Sequence, residues 1–177
     1  MPYLIGKHAA LYHIPKCGGL WARAACLAAG LRWTRVDGCQ HSDVMVDRPH
    51  RICFTRKPAP WLQSFWAFHT ATKWEQYTDS PGFIFYTCYR PGETFETFVD
   101  RYLDRMPGAI QRMFERYKQQ CTFFGRTEKI RSDLDAALLA AGETFNAGAI
   151  YELPPLNVSP TKPEYGEGQR EAVDAGS

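Results

Sequence analysis

The sequence predicts an α/β domain in which helices flank a central parallel sheet. Three observations carry the prediction. Short apolar runs such as Ala9-Ala10-Leu11-Tyr12 and Ile52-Cys53-Phe54 alternate with segments of helical period. The first run passes through a Gly-containing turn straight into a helix-forming run, Ala22 to Ala29, and this strand–turn–helix order recurs along the chain. A 45% hydrophobic and 14% aromatic share in 177 residues is enough for a substantial core. One domain is expected over 1–165, followed by a polar, Gly- and charge-rich tail over 166–177 that is expected to be flexible.

Each element has a local reason. Lys7 to Ile14 reads as the first strand. Gly19 to Leu31 reads as a helix, with Leu20, Ala24, Leu27 and Ala28 at helical spacing. Trp33 to Val36 is a short second strand, and Arg51 to Thr55 a buried one. Pro58 suits the first turn of a helix that runs to about Phe68. Pro81-Gly82 and Pro91-Gly92 are turns. Thr94 or Glu93 caps a helix through Leu103, and Pro107 to Gln119 forms the next. Cys121 to Phe124 is a short strand. Ser132 or an earlier residue opens a helix that carries Leu134, Leu138 and Leu139 and stops at Gly142. The aromatic residues crowded between Trp61 and Tyr89 are expected mostly in the core.

A net charge of +2 is too mild to argue for a nucleic-acid or membrane-surface partner. The first residues, Met1 to Lys7, lack the apolar centre of a signal peptide, and no run has the length of a membrane span. Cys17, Cys26, Cys39, Cys53, Cys88 and Cys121 are scattered without a C-x-x-C pair. Reduced thiols and a cytoplasmic setting are expected, rather than a disulfide framework or a zinc site.

The densest chemistry lies in His13-Ile14-Pro15-Lys16-Cys17-Gly18-Gly19-Leu20-Trp21. A strand that turns through glycines into a helix aims several backbone N–H groups at one anion, with the positive helix end behind them. Lys16 adds a mobile cation. A Walker A loop places its Lys after the glycines, whereas here Lys16 precedes Gly18-Gly19. The strand through Phe54 ends in Thr55-Arg56-Lys57, where a kinase would need carboxylates for Mg²⁺. Two cationic strand ends suggest a ligand with two anionic groups, held without metal at the edge where open α/β sheets bind ligands.

Four blocks, in family order, then resemble the sulfotransferases, in particular their carbohydrate (heparan-type) branch. His13 to Gly19 looks like the 5′-phosphosulfate loop, with its P-K-[TC]-G-G pattern. Phe54-Thr55-Arg56-Lys57-Pro58 through Ser64 is similar to the 3′-phosphate motif. Phe124-Gly125-Arg126-Thr127-Glu128-Lys129-Ile130 followed by Asp133-Leu134 resembles a later G-x-x-E block, and Leu156-Asn157-Val158-Ser159 a block near the C-terminus. The resemblance implies a three-layer, P-loop NTPase-like fold. It implies 3′-phosphoadenosine 5′-phosphosulfate as co-substrate, no metal, and sulfuryl transfer to a hydroxyl or amine of a small-molecule or carbohydrate acceptor. On it, Lys16 and backbone N–H groups of Cys17, Gly18, Gly19, Leu20 and Trp21 hold the phosphosulfate, while Arg56 and Ser64 hold the 3′-phosphate. Lys16 meets charge on the bridging oxygen. His41, between the two phosphate blocks, resembles the catalytic base of some branches, and an imidazole pKa near ~6.5 suits that work. Asp37, Asp43 and Glu75 are rival bases. Leu20-Trp21 departs from the hydroxyl residues many members carry there. The chain is short for the carbohydrate branch and shows no membrane anchor, so a soluble bacterial or viral form is expected.

Two other readings stand beside this one. Cys17 to Arg23 has the C-x₅-R spacing of a cysteine phosphatase loop, in which a low-pKa thiolate attacks phosphorus and the Arg grips its oxygens. A non-catalytic nucleotide-binding module would use the same cradle without a base.

Overall fold

The computed structural model describes residues 2–36, 46–71, 88–90, 92–156 and 162–176. It shows an α/β chain with a five-stranded mixed sheet in the order β3-β1-β2-β4-β5. The strands are β1 (Pro2–Ile5), β2 (Ala9–Tyr12), β3 (Trp33–Arg35), β4 (His50–Thr55) and β5 (Phe123–Arg126). The helices are α1 (Gly19–Ala28), α2 (Pro58–Ala71), α3 (Phe95–Arg105), α4 (Ala109–Gln120), α5 (Ile130–Ala140), α6 (Ala147–Glu152) and α7 (Gln169–Ala175). Where the sequence reading expects one domain, the residues gather into two compact units. The first takes Met1–Arg56 and Phe114–Val158, and the second Lys57–Met113 and Ser159–Ser177.

The first unit holds the whole sheet. The expected parallel arrangement holds for β2, β4 and β5, but β1 runs antiparallel to both β2 and β3. The reason is the connection: only Gly6, Lys7 and His8 separate β1 from β2, too few for a parallel crossover. β2 is buried along its full length, the mark of a central strand covered on both faces. β5 lies two residues later than expected because its ladder with β4 runs from Ile52↔Phe123 to Thr55↔Arg126. Gly125 sits inside that strand because a Cβ there would stand 2.4 Å from the Phe54 ring.

Helix α1 presents a different face from the expected one. Leu20 and Leu27 are 48% and 54% exposed, while Trp21, Ala22, Ala25 and Cys26 are buried. Both sets have helical spacing, so periodicity alone could not choose; the buried set is mostly small and lets the helix seat closely. α6 has no counterpart in the sequence reading.

The short β1–β2 turn is held from a distance. Gly142, with φ 69°, ends α5 and directs the chain back, with Glu143 N–H donating to the Leu138 carbonyl at 3.1 Å. The Glu143 carboxylate then accepts from the backbone N–H groups of Lys7 (2.9 Å), His8 (2.6 Å) and Ala9 (3.2 Å). A Cβ on Gly6 would fall 2.2 Å from that carboxylate.

The second unit is helical. Trp61 and Phe65 of α2 stack at 5.1 Å, Phe65 stacks on Phe98 of α3 at 6.3 Å, and Trp66 lies 5.1 Å from Phe98. Of the aromatics expected in the core, Trp61, Phe65 and Trp66 are buried and Phe68 is exposed, while Trp74, Tyr77, Phe83, Phe85 and Tyr86 lie outside the described residues. Thr94 caps α3 by accepting from Thr97 N–H. The stretch 166–176, expected to be a flexible tail, instead contains α7. Its Val173 is fully buried, and Gln169 Nε2 donates to Asp100 Oδ1 at 2.6 Å. The Asp174 carboxylate accepts from Ala59 N–H at 2.9 Å and so supplies the acidic cap that the first turn of α2 lacks. Charge and glycine in this segment concealed one apolar position at the centre of a short helix.

Two stability measurements test these ties. In chemical denaturation Glu143→Ala is expected to cost about 1 kcal/mol, since three backbone N–H donors at a largely exposed turn lose a charged acceptor. Asp174→Ala is expected to cost about 1 kcal/mol through the lost cap on α2. An unchanged midpoint would contradict the tie concerned.

Candidate functional site

The site grows out of the carboxyl ends of β2, β4 and β5, which the parallel ladders set side by side. After β2, Ile14 and Cys17 are both buried and pin the turn, and Cys17 N–H donates to the Ile14 carbonyl at 3.3 Å. Lys16 (φ 61°) and Gly18 (φ 77°) are both left-handed. Such a backbone is costly for a lysine and is a form of strain found preferentially at functional sites. Gly18 then caps α1, whose first intrahelical bond runs from Ala22 N–H to the Gly18 carbonyl at 2.9 Å. The N–H groups of Gly19, Leu20 and Trp21 thus have no acceptor within the helix, and no acidic side chain stands in its first turn. The two glycines are required by close approach. A Cβ on Gly18 would meet Ile130 Cδ1 at 2.5 Å, and one on Gly19 would meet His13 Nδ1 at 1.9 Å.

The two expected cations come together. Register Tyr12↔Cys53 places the end of β2 beside that of β4, and the Arg56 guanidinium donates to the Lys16 carbonyl at 3.4 Å. Burial, and then the Arg56 charge, lower the Lys16 pKa to about 8. The end of β5 closes the third side. Thr127, in a 3-10 turn over Thr127–Lys129, donates its hydroxyl to the Thr55 carbonyl at 2.9 Å. Asp133 holds the Arg126 N–H at 2.7 Å. Thr127 is the residue of this site that the sequence reading did not single out, although a hydroxyl one position past a strand end was the available signal.

The other candidates fall into distinct places. Leu20 is exposed at the start of α1. The Trp21 ring is buried, with its indole N–H donating to the Pro154 carbonyl at 3.0 Å and Arg131 over its ring at 5.5 Å. The Trp21 side chain is therefore a packing anchor, and only its backbone N–H belongs to the turn. Cys17 is buried, and burial pushes its thiol pKa well up. Arg23 bonds the Tyr3 hydroxyl at 2.8 Å and lies over the Tyr3 and Trp33 rings at 4.5 and 4.4 Å. Ser64 is on α2 in the second unit and is buried. His41, with Asp37, Asp43, Glu75, Asn157 and Ser159, lies outside the described residues.

Among the described residues no group of three or more His, Cys, Asp or Glu is placed to hold a metal ion, and no helix is long and apolar enough to cross a membrane. No protein-family model matches the chain, and no curated protein or solved structure matches it.

The burial of Cys17 predicts slow chemistry. In the native protein at neutral pH, iodoacetamide should leave Cys17 unmodified, with alkylation only after denaturation, as read by peptide mass spectrometry. Rapid native labelling would contradict the buried, protonated thiol.

Proposed function

We propose that the protein is a metal-independent sulfotransferase with a P-loop-like, three-layer arrangement around its sheet. The observation that carries the reading is the convergence of Lys16 and Arg56 at adjacent strand ends, beside a helix start that carries no acid. The donor is 3′-phosphoadenosine 5′-phosphosulfate, and the acceptor a hydroxyl or amine on a small molecule or carbohydrate.

On this reading the N–H groups at the start of α1 bind the 5′-phosphosulfate and Arg56 binds the 3′-phosphate. The acceptor oxygen bonds to sulfur as the bond from sulfur to the bridging oxygen breaks. The bridging oxygen leaves with its electron pair as part of 3′-phosphoadenosine 5′-phosphate. Lys16 meets the charge that develops there; a preorganised donor of this kind is commonly worth about 3 kcal/mol. The acceptor proton passes to a base, for which the resemblance offers His41. The phosphatase alternative is less well supported, because Cys17 is a buried thiol and Arg23 is engaged by Tyr3 and Trp33.

Calorimetry with 3′-phosphoadenosine 5′-phosphate, its analogue lacking the 3′-phosphate, and ATP tests the reading. The bisphosphate should bind most tightly, and Arg56→Ala should erase its advantage over the analogue. Equal binding of the two by the native protein would sink the Arg56 assignment. The lowered Lys16 pKa adds a signed pH dependence. Lys16 is charged below about 8 and neutral above it. Affinity should be level at neutral pH, then fall by up to about tenfold per pH unit above 8, and Lys16→Ala should flatten that fall.

A further inference from the structure

Thr127 stands where all three parallel strand ends meet, and the functional reading above gives it no task. Its hydroxyl donates to the carbonyl of Thr55, the last residue of β4, one peptide before Arg56. Thr55 Oγ1 in turn reaches the Gly125 carbonyl of β5 at 3.4 Å. On its other side the Thr127 methyl faces the phosphate turn, where a Cβ added at Gly18 would meet Ile130 Cδ1 at 2.5 Å and Thr127 Cγ2 at 3.7 Å. The Thr127 side chain is also near enough to Cys17 to act on its thiol. Asp133 fixes the backbone just before it, at Arg126 N–H.

We propose that Thr127 is a positioning residue for the two-anion site: its hydroxyl locks the end of β4, and hence Arg56, to the turn that supports Gly18 and the start of α1. This rests on the two-anion reading above. The physical need is specific. A ligand with phosphates at both ends binds well only if its two cradles keep a fixed separation, because any slack between them must be removed on binding. Thr127 stands between the two cradles, with its hydroxyl bonded to the end of β4 and its methyl turned towards Gly18. Without the hydroxyl, the Thr55 carbonyl also loses its side-chain donor at the strand end.

The test separates hydroxyl from shape. Thr127→Val keeps the methyl contacts and removes the bond, while Thr127→Ser keeps the bond. In calorimetry with 3′-phosphoadenosine 5′-phosphate, Thr127→Val should bind about tenfold more weakly than the native protein and Thr127→Ser within about twofold of it. The loss should require Arg56: in an Arg56→Ala background, Thr127→Val should add less than about a twofold further loss. A purely structural role would give additive losses and would overturn the proposal, as would a Thr127→Val protein that binds like the native one. Failure of the native protein to bind the nucleotide would overturn the two-anion reading and this inference with it. If Thr127→Val does not fold, Thr127→Ala compared with Thr127→Ser decides in the same assay: a tenfold difference supports the hydroxyl role and equal binding overturns it.

Discussion

The parallel register of β2, β4 and β5 is the constraint on which the site depends. It fixes Tyr12 opposite Cys53 and Thr55 opposite Arg126, so three chain segments leave the sheet at one edge. Each then delivers something different: a left-handed turn and a helix start after β2, a guanidinium after β4, and a hydroxyl-bearing 3-10 turn after β5. A slip of one residue in either ladder would send alternate side chains to the opposite face of the sheet and break up this group. The register is secured by burial, because Leu11, Ile52 and Phe54 must all stay out of water.

The turn after β2 shows how packing and electrostatics are divided within nine residues. Ile14, Cys17 and Trp21 are buried and do mechanical work. Lys16 stays half-buried in an uncomfortable backbone conformation, beside another cation that lowers its pKa. The left-handed backbone disfavours a lysine there, and the neighbouring guanidinium disfavours its charged form. Elsewhere in the same unit, around Lys7 to Ala9, the backbone N–H groups converge on a carboxylate of the chain itself, that of Glu143.

Much of the central architecture was legible in the sequence. Apolar runs flanked by turn residues located β2, β3 and β4, and Pro58, Thr94 and Gly142 marked helix ends as expected. The pairing of Lys16 with Arg56 was legible because strand ends in a parallel sheet share an edge. Three kinds of feature were not. β1 was hidden because Pro2 to Ile5 gives too few residues to show alternation, and its antiparallel pairing follows from a turn length that matters only once the strand is known. The buried face of α1 was ambiguous because Leu20/Leu27 and Trp21/Ala25 satisfy the same period, and the sheet decides between them. α7 was hidden because its stability comes from remote partners, Asp100 and Ala59, rather than from its own residues.

The dependence of the second unit on α7 has a consequence for synthesis. Its helices α2 and α3 leave the ribosome before α7, because Val173 and Asp174, which complete their packing and cap, come more than a hundred residues after Ala59. The first unit is interrupted in the same way, since β5 must pair with β4 across the intervening helical segment. The first unit cannot close its sheet before β5 emerges, and the second cannot complete its packing before α7 does. Until α7 emerges, the faces of α2 and α3 that it packs against stay uncovered, and in that interval chaperone contact would matter most.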